Sequence, residues 1–212
     1  MSRSQLLKIA STSLVKTHGF TREALARSVL DLPPEKAHSE PLSDTAVSSL
    51  FGHGDAARKT LIQAWLDEGL SQMGSARTAG LTGVLHARLD YNKPVLQLLP
   101  EAFALLASPE RGLPPLDPRP ALSHAARVAD EASYLSGDTS VQLAWYTHRA
   151  SIAAVYSAAE LHQLTSPETA HAFLDSLLAG SAALKGTLDE VQVFSSYVFK
   201  SWKGILKSKG IL

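Results

Sequence analysis

Two glutamate–histidine pairs at i and i+3, Glu35/His38 and Glu168/His171, have the spacing with which four-helix carboxylate proteins hold two metal ions. That chemistry also needs two further inward glutamates on long uninterrupted helices, and none is evident. Glu35/His38 falls in the proline-bounded segment LPPEKAHSEP (32–41), and Glu168 in the first turn of a helix opened by Ser166 and Pro167. A carboxylate in that first turn is favoured by the helix macrodipole alone. GHGDAA (52–57) has the outline of a dinucleotide-binding glycine pattern, but it follows a helix rather than a strand and no βαβ unit surrounds it. Its glycines are better read as ending one helix and starting the next. There is no His-Glu-x-x-His, no Gly-x-Ser-x-Gly and no cysteine, so the usual zinc, serine-hydrolase and thiolate chemistries lack their residues. No catalytic residue, metal or cofactor is expected.

The residues that could do a different kind of work lie in DTSVQLAWYTHR (138–149). Thr139 and Gln142 fit a capping box at a helix start. Trp145 and Tyr146 then point about 100° apart, so one core face cannot hold both rings. With Arg149 beside them they are the residue types enriched at binding hot spots, and Gln142, Trp145, Tyr146 and Arg149 form the candidate partner surface; aromatics plugging the end of a bundle remain the alternative. On the same helix Leu143, Thr147, Ala150, Ala154 and Leu161 share one face, with Trp145, Ile152 and Tyr156 roughly opposite. Such a helix is either buried all round or faces the core on one side and a ligand or partner on the other.

At the other end, Val191, Phe194, Val198, Trp202 and Ile205 fall on one helical face, with Lys200, Lys203, Lys207 and Lys209 around them and no acid after Glu190. This is the pattern of a helix lying in a membrane headgroup plane. It equally suits a last helix packed on a bundle, with lysines favoured by the dipole.

The elements that position these residues are helices from end to end, since no alternating run of strand length appears. Gly19 ends a first helix, Thr21 caps a second and Ser43 a third; a fourth follows FGHGD with Leu61, Ile62, Trp65, Leu66 and Leu70 on its apolar face. Longer helices are expected over about 75–91, 94–107, 117–135, 140–165, 166–185 and 187–207. The class is all-α, a single domain of about nine or ten helices: a head over 1–73, a bundle over 74–186 and an amphipathic helix over 187–212. Twenty basic and twenty acidic residues cancel, so no global field recruits nucleic acid or anionic membrane. The longest uncharged stretches, such as 139–148 and 150–159, are far short of the roughly 20 residues a spanning helix needs. Arg3, Lys8, Lys16 and Arg22 precede the first acid, Glu23, a composition shared by organelle-targeting segments, but Leu6, Leu7, Ala10, Leu14 and Val15 also recur as a core stripe.

The head has the layout of a TetR-type helix-turn-helix. Its recognition position is SDTAVSSLF (43–51), and between Ser39 and Ala57 there is no Lys or Arg, while Glu40, Asp44 and Asp55 are present. A reader of DNA needs phosphate contacts, so nucleic acid is not expected. A TetR-like ligand-responsive transcription regulator is the competing reading.

SGDTSVQLAWYTHRASIAAVYSAAEL (136–161) resembles the signature of the coenzyme Q nine family of mitochondrial ubiquinone biosynthesis proteins: Gly-Asp-x-Ser, then Asn-Trp-Tyr-Thr-Arg-Arg, then small residues to Tyr and Glu-Leu. HGFTREALA (18–26), SSLFGHGD (48–55) and HARLDYNKPVLQLLPEAFALLASP (86–109) are similar to other family segments, and Asp130 stands where the family has an acid before Gly137. The resemblance implies a TetR-like fold without DNA binding. It also implies a lipid-binding, homodimeric accessory protein on the matrix side of the inner mitochondrial membrane that assists a quinone hydroxylase. The hydroxylase-facing surface maps onto Ala132, Gln142, Trp145 and Tyr146, of which Ala132 and Gln142 depart from the family's residue types; His148 replaces an arginine. With that function in view, Leu96, Leu99, Phe103, Leu106, Ile152 and Tyr156, large apolar side chains in the long helices, are candidates to line a pocket for isoprenoid quinone or phospholipid, with a closed core the alternative, and Phe194, Val198, Lys200, Trp202, Lys203, Ile205 and Lys207 to meet the membrane.

Overall fold

A computed structural model describes residues 2–36, 38–109, 116–139 and 143–183. These residues are all-helical, without a strand among them. The chain divides into two compact units, Met1–Ser71 with Pro94–Leu106, and Gln72–Lys93 with Ala107–Leu212.

In the first unit α1 (Arg3–Ile9) runs through a π-helical segment, Ala10–Leu14, into α2 (Val15–His18). Leu6, Ala10, Leu14 and Val15 are buried as their spacing predicts, while Leu7 is half-buried. Gly19 stops α2 at φ +68°, a conformation side chains rarely adopt. Thr21 then caps α3 (Arg22–Arg27) by accepting from the Ala24 amide, and Ser43 caps α4 (Asp44–Phe51) by accepting from Ala46. Both caps were legible, because a hydroxyl just before an apolar helical period satisfies an otherwise orphaned amide. Leu61, Ile62, Trp65 and Leu66 of α5 (Asp55–Gln72) are buried, Leu70 half-buried.

The glycines of GHGDAA end α4 and precede α5, with Gly52 at φ +114°. Arg22 grips this turn: Nη1 donates to the Gly52 and Gly54 carbonyls, Nη2 to Ser48 Oγ, and Nε and Nη2 to Asp44. Arg22 is thus occupied in holding α3 to the expected recognition helix. After the short 3-10 segment Lys93–Leu98, α7 (Leu99–Ala107) completes the unit, with Leu99, Phe103 and Ala104 buried.

The second unit holds the 3-10 segment Met73–Ala79, α6 (Gly80–Asn92), α8 (Arg119–Leu135), α9 (Leu143–Thr165) and, after a 3-10 turn at Pro167–Thr169, α10 (Ala170–Ala183). Helix α9 packs against α6, α8 and α10. The 3-10 pieces replace the first turns of three helices expected to be continuous. The region expected as a last helix, 187–207, lies outside the described residues, as do the segments 110–115 and 140–142.

Helix α9 decides between the two readings of its doubly apolar wheel by doing each in turn. Thr147 and Ala150, on one of its two apolar faces, are exposed, whereas Ile152, Tyr156 and then Val155, Ala158, Ala159 and Leu161 are buried. Its second half is therefore central in the unit and its first turns stand at the surface.

Candidate functional site

The C-terminus of α8 sets up the first turns of α9. Gly137, at φ +75°, follows the cap residue Ser136; its amide bonds to the Tyr134 carbonyl, and the Asp138 amide reaches back to Ser133. This is a Schellman closure, which satisfies the last carbonyls and requires a left-handed residue. Its effect is to bring Asp138 back onto α9. Asp138 Oδ2 accepts from Arg149 Nη1 at 2.9 Å and lies 3.3 Å from His148 Nδ1; Asp130, from α8, accepts from Arg149 Nε at 2.9 Å.

So held between two carboxylates, the Arg149 guanidinium lies 4.1 Å from the Trp145 ring centroid, and Trp145 meets Tyr146 edge to face at 4.7 Å. Trp145 is 37% and Tyr146 67% exposed. Tyr134, one turn beyond Asp130 on α8, is also exposed, with Arg77 over its ring. The aromatic pair therefore does not plug the bundle. It forms a surface edge whose tryptophan is fixed from behind by a cation–π contact, which reduces the ordering cost of an encounter. Ala132, assigned by resemblance to the same surface, is fully buried and is not part of it. Gln142 lies outside the described residues.

The pocket candidates are distributed over both units. Leu96, Leu99, Phe103 and Leu106 belong to the first, Ile152 and Tyr156 to the second. Leu99, Phe103, Ile152 and Tyr156 are buried and Leu96 and Leu106 half-buried. The membrane candidates Phe194, Val198, Lys200, Trp202, Lys203, Ile205 and Lys207 lie outside the described residues. Among those described, no helix is long and apolar enough to cross a membrane.

Neither glutamate–histidine pair builds a metal site. Glu35, His38 and Glu168 are exposed. His171 instead stacks on His86 with centroids 4.1 Å apart. The Nε2 atoms of His171 and His86 lie 2.9 Å from Asp90 and 2.8 Å from Asp175, close but not aligned as hydrogen bonds. No group of three such side chains among the described residues is arranged to hold a metal ion.

The polar cluster that the sequence did not announce is inside the second unit. Arg88 and Asn92 of α6, His124 of α8, and Tyr156, Glu160 and Gln163 of α9 are all buried. Glu160 Oε1 accepts from Tyr156 (2.6 Å) and Asn92 (3.0 Å) and lies 3.3 Å from His124 Nε2. Asn92 Oδ1 accepts from Arg88 Nη1 at 2.7 Å, and Gln163 anchors to the Leu89 carbonyl at 2.8 Å. Burial pushes the Glu160 carboxyl up, but the attraction and hydrogen bond of His124, the Arg88 charge and the Tyr156 hydroxyl outweigh it and hold it at about 2. Burial also drives the Tyr156 phenol well above its ordinary range. Tyr156 is thus a donor committed to Glu160 rather than a plain apolar wall. The available signal was slight: Arg88 and Asn92 at i and i+4, and a single acid in the apolar run Ala158–Leu161.

Residues 119–185 match the family model described as COQ9, a segment that contains α8, the Trp145/Tyr146 edge and Glu160. Over 132 residues the chain is 33% identical to the ubiquinone biosynthesis protein coq9, mitochondrial, of Schizosaccharomyces pombe, covering 60% of this chain and 50% of that protein. It is 28% identical over 193 residues to the protein of the same description from Bos taurus (86% and 58%) and 30% over 166 residues to that from Homo sapiens (72% and 48%). The chain spans about half the length of the curated relatives it matches.

Proposed function

The chain belongs to the COQ9 family, and from that premise we propose that it is a non-catalytic, lipid-binding accessory protein of ubiquinone biosynthesis. In this reading the helical bundle takes up an isoprenoid quinone intermediate or a phospholipid at the matrix face of the inner mitochondrial membrane. The C-terminal lysine-rich helix docks on that surface, the protein works as a homodimer, and the Trp145/Tyr146 edge presents the substrate to the quinone hydroxylase. The physical rationale is that a polyprenyl quinone is insoluble in water, so an enzyme at the membrane surface gains from a partner that draws it part-way out.

The observation that carries the reading is the exposed aromatic pair fixed by Arg149. Tryptophan, tyrosine and arginine are enriched at interface hot spots, where a few side chains carry most of the binding energy. The transcription-regulator alternative draws no support from α4, which carries Asp44 and no Lys or Arg. The test is a pull-down of the hydroxylase with the double variant Trp145→Ala/Tyr146→Ala. We expect capture to be lost while far-UV helicity and lipid binding persist; capture at wild-type level would remove these rings from the interface.

A further inference from the structure

Arg88 is fully buried, yet its Nε and Nη2 have no hydrogen-bond partner among the described residues. Among the described residues only Nη1 is used, on Asn92. Glu160, the nearby anion, directs Oε1 at Tyr156, Asn92 and His124 instead, and Arg88 makes no ion pair among the described residues. Tyr91, half-buried, has its ring centroid 5.8 Å from the guanidinium carbon. Nε and Nη2 are the side-on fork of a guanidinium, the pair of parallel donors that matches two adjacent oxygens. Buried charged donors are almost always satisfied, and three helices, α6, α8 and α9, converge here around an anion already engaged elsewhere.

We propose that Arg88 is the polar anchor of an internal ligand site in the second unit, its Nε and Nη2 donating to two adjacent oxygens in the head of an amphiphile. Those oxygens are either a lipid phosphate or neighbouring ring oxygens of a quinone. The proposal rests on the lipid-binding reading and adds to it the residue that recognises the head rather than the tail. Arg88 binds and does no chemistry; Tyr156, His124 and Asn92 hold Glu160 so that it does not capture the fork.

The experiment titrates the full chain and its Arg88→Met and Arg88→Lys variants with three probes: didecanoyl phosphatidic acid, a ubiquinone carrying two isoprene units, and squalane, which has no oxygen. The wild type should bind an oxygen-bearing probe more tightly than squalane. Arg88→Met should weaken that binding roughly tenfold to a hundredfold, as loss of a charge-assisted hydrogen-bonded pair does, with Arg88→Lys between and squalane unaffected. Whichever headed probe responds identifies the source of the oxygens. Unchanged affinity in Arg88→Met overturns the anchor and leaves lipid binding standing; a wild type that binds none of the three overturns both. If the variants fail to fold, the wild-type Nε–H resonance of Arg88 decides. A shift on adding the headed probe and not on squalane supports the anchor, and no shift overturns it.

Discussion

Glu160 shows how a single buried acid ties three helices together and thereby couples stability to pH. Its carboxyl is held at about 2, below its ordinary value, so the folded state binds fewer protons than the unfolded chain through the acid range. The stabilisation is fully present above the unfolded carboxyl's range and disappears as pH falls toward the folded value, a contribution of the order of 3 kcal/mol. Urea unfolding of the wild type should therefore lose stability steeply between about pH 5 and about pH 3, and Glu160→Gln should flatten that slope while lowering stability at neutral pH. An equal slope in both would show that other carboxylates govern the acid limb. None of this was legible in the sequence, because an Arg, an Asn and a Glu spaced along helices read as solvated faces until the helices that bury them are in place. Trp145 and Tyr146 were legible for the opposite reason: adjacent residues on a helix diverge by about 100°, so adjacency itself argued that one ring is outside.

Among the elements, helix starts and stops were readable at Thr21, Ser43 and Gly19, where one side chain or one positive φ settles the local geometry. The split character of α9 was not readable, since exposure of Thr147 and Ala150 depends on which neighbours reach that far along the helix. The Schellman turn at Gly137 joins residue to element. It sends Asp138 back under Arg149, and Arg149 fixes Trp145. The two carboxylates on Arg149 should nonetheless count unequally. Asp138 is largely buried, its side chain 11% exposed, whereas Asp130 is 65% exposed. Asp138→Ala should cost about 1–3 kcal/mol by stranding Arg149 beside His148, and Asp130→Ala under about 1 kcal/mol, both measured by chemical denaturation. Asp138→Ala should also release Trp145, detectable as faster hydrogen exchange in the first turns of α9. Equal costs for the two variants would mean that the turn, and not the ion pair, holds the aromatic edge.

At the scale of the whole molecule, the all-helical class and the family were legible because periodicity runs through the entire chain and because the Gly-Asp to Trp-Tyr block is dense in uncommon residues. The division into two units was less so: residues 94–106 lie in sequence beyond the expected head yet belong to the first unit, a long-range packing that no local pattern encodes. Four of the six apolar residues picked as pocket lining consequently sit in the first unit, and two, Ile152 and Tyr156, share the second with the polar cluster around Arg88. Every functional role proposed for these residues depends on whether the protein carries a lipid at all. Native mass spectrometry of gently purified full chain, with extraction and identification of what is released, tests this most directly. We predict an added mass matching an isoprenoid quinone or a phospholipid; protein that is consistently free of lipid and fails to float with liposomes would contradict the account.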